Sequence, residues 1–123
     1  MVAMLRSELC KCDSCPLRGQ RVISGEGTSD SLHYDVVFVG IAPAKTEVEI
    51  GRPLVGWSGT LLRNTLKKLG IEEFYLTNTL LCQLKEDMSG SEQNLAIECC
   101  KERLLEEVTS RKPKLIIAMG NIP

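Results

Sequence analysis

Six cysteines in a chain of 123 residues are the first feature that could do chemistry. Cys12 and Cys15 form a CxxC followed by Pro16 and Leu17. A tight turn at that spacing lets two thiolates converge on one metal centre, and the proline fixes the chain's exit. Cys82 stands alone farther on, and Cys99 and Cys100 stand together beyond it. A CxxC with two more distant thiols can hold zinc, or a four-iron cluster through four thiolates, and spacing does not choose between them. Cys10 and one of the adjacent pair are then spare. Free cysteine is also a common buried hydrophobe, but thiols clustered in a chain of intracellular type point to metal rather than to disulfides.

The elements that must position these thiols are legible in the apolar pattern. Val36-Val37-Phe38-Val39 runs into Gly40-Ile41-Ala42-Pro43-Ala44 and on through Gly51-Arg52-Pro53-Leu54-Val55-Gly56-Trp57-Ser58-Gly59. This is the pattern of a strand buried on both faces, a glycine-punctuated loop and a helix start near Ser58. Open α/β sheets place nucleotides and anions at such strand ends. Ser58 to Leu69 puts Leu61, Leu62, Thr65, Leu66 and Leu69 on one face, with Arg63, Lys67 and Lys68 largely opposite, and Gly70 is placed for a left-handed cap. Phe74 to Asn78 reads as a second buried strand, whose Thr77-Asn78 end emerges at the same sheet edge as the first loop. Cys82 follows it.

Residues 83 to 91 read as an exposed loop. Ser89 and Glu92 have capping-box spacing for a helix over 92 to 111, with Leu95, Cys99, Leu104, Leu105 and Val108 on its apolar stripe and Cys100 beside it. Pro113 stops that helix, and Lys114 to Gly120 reads as a third buried strand. Residues 5 to 9 could form a short helix, and 18 to 35 read as an irregular connection. The expected fold is therefore α/β: one domain over 1–123, a three-layer αβα sandwich with a parallel central sheet.

Composition agrees. A chain with 43% hydrophobic and 25% charged residues is of soluble globular type. No apolar run reaches the roughly 18 residues of a membrane span, and the N-terminus lacks a signal-type segment, so a cytoplasmic location and no membrane partner are expected. A formal charge of -1 means that any nucleic acid must meet a local basic patch. Arg18 with Arg21, Arg63 with Lys67 and Lys68, and Arg111 to Lys114 are candidates, each also an ordinary solvated face. His33 reads as structural or exposed rather than as a ligand.

With these residues in hand, the chain resembles the iron-sulfur, family-four uracil-DNA glycosylases and the glycosylase-like domains at the N-terminus of some phage DNA polymerases. The resemblance runs from 12 to 120: Cys12-Asp13-Ser14-Cys15-Pro16-Leu17, Gly40-Ile41-Ala42-Pro43-Ala44 with Glu47, Gly51-Arg52-Pro53-Leu54-Val55-Gly56, Gly59-Thr60-Leu61-Leu62, and Thr77-Asn78-Thr79-Leu80-Leu81-Cys82. It implies a [4Fe-4S] cluster, with zinc the alternative, on Cys12, Cys15, Cys82 and Cys100, the last chosen because Leu104 and Pro113 follow it at the family's offsets. It also implies DNA, including uracil-containing DNA, as partner. Asn78 would read the flipped base, with Gly40, Ile41 and Leu54 around it. Asn78, Ala42, Pro43 and Glu47 are the catalytic candidates.

Several positions depart from the family pattern. Ile41 stands where an acid is usual, Leu54 where an aromatic ring would stack, and Leu81 where a lysine is usual, while Glu86 and Asp87 stand in a loop that is usually basic. The chain stops before the family's His-Pro motif. These departures imply a truncated fold, the N-terminal two thirds of the family's, degenerate or incomplete for base excision, with a further segment or a protein partner over the sheet. An active uracil-DNA glycosylase in base-excision repair and a non-catalytic zinc- or cluster-stabilised interaction module of a replication protein are the alternatives.

Overall fold

The valine-rich run lies in the interior of a small sheet, paired in parallel along both of its edges. The computed structural model describes residues 12–119. The region around Leu5 to Leu9, Cys10 and Gly120 lies outside them. In chain order, after a 3-10 turn at Cys12–Ser14, come β1 (Glu26–Gly27), β2 (Val36–Gly40), α1 (Lys45–Ile50), α2 (Trp57–Lys68), β3 (Tyr75–Asn78), α3 (Gly90–Thr109) and β4 (Leu115–Ala118). The strand order is β1-β3-β2-β4. β2 pairs in parallel with β3, Val37 opposite Tyr75 and Gly40 opposite Asn78, and in parallel with β4, Val36 opposite Leu115.

β1 runs antiparallel to β3, Glu26 opposite Leu76, so the sheet is mixed. The expectation of an irregular connection over 18–35 missed this strand. Two residues are too few to show alternation, and their strand state comes from the partner's free edge rather than from their own propensity. α1 was also unmarked, being a single turn and a half without apolar period.

Strand alternation sends side chains to two layers. Val37 and Tyr75 pack with Tyr34 and with Val108 of α3 on one face, while Phe38 and Leu76 pack with Phe74 and with Leu66 of α2 on the other. Each fully buried Leu or Phe contributes roughly 1.5–3 kcal/mol. A third cluster, Leu17, Leu80, Ala96 and Cys100, lies beyond the strand ends.

The local helix signals hold. Ser89 Oγ accepts the Glu92 N–H at 3.2 Å while the Glu92 carboxylate accepts the Ser89 N–H, and Gly70 adopts φ +75°. The apolar faces are narrower than the period implies. Leu61 on α2, Leu69 just after it, and Leu95 and Leu105 on α3 are exposed, while α3 turns Ala96, Cys99, Cys100, Arg103 and Val108 inward. β4 is not the buried strand expected. It is an edge strand with Leu115 and Ile116 half exposed, only Ile117 and the following Met119 packing into the α2-side cluster. Among the described residues no helix is long and apolar enough to cross a membrane.

Candidate functional site

Two features converge at the carboxyl ends of β2 and β3. The first is Asn78, the last residue of β3, 3% exposed and opposite Gly40. A Cβ on Gly40 would collide with the Asn78 Oδ1, so only glycine lets the amide lie over the end of β2. The turn after Asn78 is pinned to the neighbouring loop: the Thr79 N–H and hydroxyl donate to the Gly40 carbonyl at 2.8 and 3.1 Å, and the Leu80 N–H donates to the Ile41 carbonyl at 2.9 Å. Ile41 is half-buried and Pro43 buried in that loop. Ala42 packs against the Leu17–Cys100 cluster, so the loop borders both features.

The next loop is clamped from three sides. Glu47 of α1 is buried, and its carboxylate accepts the Ala44 N–H at 2.9 Å with one oxygen and the Val55 and Gly56 N–H groups at 3.1 and 2.5 Å with the other. Both oxygens of this catalytic candidate are thus engaged by backbone, which makes it a clasp between the starts of α1 and α2. Arg63 donates to the Leu54 carbonyl at 2.9 Å and the Pro53 carbonyl at 3.0 Å. Gly59 is the third clamp, since a side chain there would strike the Leu54 backbone. Leu54 is held at φ +50°, a left-handed conformation costly for leucine, with its side chain against the α2-side cluster. Trp57, 82% exposed, opens α2 directly after this loop.

The second feature is a cavity of about 120 Å³ lined by Cys12, Cys15, Cys82 and Cys100 with Leu17, Val22 and Leu81. The CxxC turn is closed by the Cys15 N–H to the Cys12 carbonyl at 3.1 Å, and the Leu17 N–H points at the Cys15 sulfur at 3.4 Å. The segment after it holds the β3–α3 connection in place: Ile23 N–H donates to the Leu81 carbonyl at 2.8 Å, and Gln20 to the Gln83 carbonyl at 3.1 Å. All four thiols expected from the sequence border one space. Among the described residues no three His, Cys, Asp or Glu side chains close around a single-ion point. Cys99 is buried beside them, and burial followed by the neighbouring Cys15 pushes its thiol pKa up.

One functional candidate was missed. Arg103, 5% exposed on α3, donates from Nη2 to the carbonyls of Asn78 at 3.0 Å and Thr79 at 2.7 Å, and from Nη1 to Glu107 and, at 3.5 Å, to Thr77. Glu107 also accepts the Tyr75 hydroxyl at 2.7 Å. Burial and the Glu107 carboxylate push the Tyr75 phenol well above its usual range. The Arg103–Glu107 spacing of four, one turn past the cysteine pair, was the available signal, but such a pair normally marks a solvated face. His33 is exposed and within 3.1 Å of Asp35, away from both features.

A family model described as the uracil DNA glycosylase superfamily matches residues 27–123. A Type-4 uracil-DNA glycosylase of Pyrobaculum aerophilum is 36% identical over 120 residues, 94% of this chain and 59% of that protein. One of Thermotoga maritima is 32% identical over 124 residues, 98% of this chain and 62% of that protein. One of Archaeoglobus fulgidus is 29% identical over 117 residues, 92% of this chain and 56% of that protein. The chain spans about three fifths of the length of these relatives.

Proposed function

Because this chain belongs to the uracil DNA glycosylase superfamily, we propose that it binds DNA and reads an unstacked uracil nucleotide at the carboxyl ends of β2 and β3, beside a thiolate-held iron-sulfur cluster. The observation that carries the reading is the Asn78 amide lying over Gly40, one turn of chain before Cys82, so that base reader and thiols share a connection. An amide offers a donor and an acceptor to the edge of an extruded pyrimidine. Leu54 contributes apolar contact in place of ring stacking, which is worth about 1–3 kcal/mol per base.

Hydrolysis of an N-glycosidic bond needs a water held at the sugar and a donor for the charge that develops on the departing base. Backbone of the Gly40–Ala44 loop, with Ala42 and Pro43 shaping it, would hold the water, and Glu47 would keep that loop in register. Ile41 provides no proton acceptor. Recognition therefore dominates over excision in this chain, which acts as a degenerate relative of the Type-4 enzymes. Trp57 and the exposed Lys45 flank the strand ends and suit a DNA strand, an indole for stacking and an ammonium for phosphate.

The residues that would hold the cluster are Cys12, Cys15, Cys82 and Cys100. Four thiols brought from three segments to the border of one cavity have the donor chemistry of a four-iron cluster, with zinc the alternative. When bound, the cluster ties the CxxC turn, the β3–α3 connection and α3 into one unit. A cytoplasmic location goes with this reading, since thiols kept as cluster ligands need a reducing compartment.

The test is competition binding of anaerobically purified protein to single-stranded oligonucleotides with one uracil or thymine at the same position, with an abasic-site gel assay alongside. A uracil preference of about tenfold that Asn78→Ala abolishes is expected, with slow product formation. Equal affinity for the two oligonucleotides overturns the reading.

A further inference from the structure

A buried arginine is expensive. Its charge must be paired and its donors satisfied, and an apolar residue of similar volume would often leave a fold as stable or more so. Arg103 is 5% exposed, lies among the inward residues of α3, and its Nε finds no hydrogen-bond partner among the described residues. Buried polar atoms left unpaired are uncommon, and each calls for an explanation. The guanidinium is placed for its two Nη groups at the expense of Nε, and what those groups hold is specific: Nη2 takes both the Asn78 and Thr79 carbonyls, while Nη1 is anchored by Glu107 and Thr77.

Successive carbonyls of a strand point to opposite sides. One nitrogen can bond two in a row only where the chain has turned, so Arg103 braces the bend that ends β3. The same bend is held from the β2 side by Thr79 and Leu80, bonded to Gly40 and Ile41. Asn78 is thereby fixed between α3 and β2. Arg103 is also three residues past Cys100 and four past Cys99, one helical turn along the same element.

We propose that Arg103 is the positioning residue for Asn78, joining the helix that carries Cys99 and Cys100 to the backbone that aims the Asn78 amide. The proposal deepens the base-reading function above and rests on it for its consequence in recognition, but its structural half stands apart. Arg103 touches no reacting group. It acts through the carbonyls it braces, and Glu107, itself bonded to Tyr75, keeps its charge paired in place.

The experiment compares wild type with Arg103→Met, Arg103→Lys and Glu107→Gln, all purified with their metal. The readouts are iron content, hydrogen exchange of the peptide spanning 77–82, and the uracil-to-thymine affinity ratio. Exchange at Thr79 and Leu80 should rise about tenfold or more in Arg103→Met while the peptide spanning 36–39 stays protected and iron content holds. Arg103→Lys, which can reach one carbonyl, should restore part of the protection. Should Arg103→Met fail to fold, Arg103→Lys and Glu107→Gln must show the intermediate acceleration. Unchanged exchange in the folded variants overturns the proposal. Accelerated exchange with an unchanged uracil preference also overturns it, because the brace would then not aim the amide. If wild type itself shows no uracil preference, the base-reading function fails while the exchange data still decide whether Arg103 sets the bend.

Discussion

Replacing Glu47 by Gln removes one charge and one acceptor from a buried group that serves three backbone donors. The better orientation of the new amide keeps its oxygen toward Val55 and Gly56 and turns its NH2 toward the Ala44 N–H, so one bond is lost and two donors face each other. The two surviving bonds change from charge-assisted to neutral. Bonds to charged groups are worth about 1.5–3 kcal/mol and neutral ones about 0.5–1.5, so one lost bond and two weakened by about 1–1.5 each together cost about 3.5–6 kcal/mol. Glu47 is 8% exposed, so water does not replace what is lost. At about 4 °C per kcal/mol for a domain of this size, Tm should fall on the order of 14–24 °C. Thermal unfolding followed by circular dichroism on metal-loaded protein measures this, and limited proteolysis should show earlier cutting within 51–56. A Glu47→Gln variant with unchanged Tm but abolished uracil recognition would refute the clasp and assign the carboxylate to the chemistry instead.

The cysteine set and the loop clamp make two further predictions. Cys100→Ser should lose most of the bound iron and several degrees of Tm, whereas Cys99→Ala should keep its iron, because Cys100 lines the cavity shared with Cys12, Cys15 and Cys82; elemental analysis of the two variants, with iron retained by Cys100→Ser and lost from Cys99→Ala, reverses the assignment. The hydrogen bond from Arg52, at 2.7 Å, with the charges of Arg52 and Arg63 holds the Glu26 carboxyl below its ordinary value. A depressed carboxylate stabilises the fold above the unfolded pKa of about 4.3, and that contribution disappears as pH falls through the depressed value. The Tm difference between wild type and Arg52→Gln should therefore be present at neutral pH and shrink below about pH 4, and a difference independent of pH from 7 to 3 contradicts the pairing.

The fold and the site divide along a physical line. Local rules were legible in the chain itself. The valine run, the Ser89–Glu92 box and the glycine after Leu69 each act within a few residues, and they marked β2, α3 and the end of α2 before any packing was known. The thiol spacings and the Thr77-Asn78 strand end were equally plain, because a motif is a property of neighbours. Tertiary structure decided which face of each helix turns inward. On α3 the inward arc takes Arg103 and leaves Leu95 and Leu105 outside, since two strand-end carbonyls and Glu107 hold its Nη groups there. It also made a strand of Glu26–Gly27, whose state depends on the edge of β3, and left β4 half exposed at the other edge. Glu47 and Arg103 are the clearest cases. Each bonds backbone groups brought to it by the folding of separate segments, and a sequence states which groups exist but not where the chain's own carbonyls and amides come to rest.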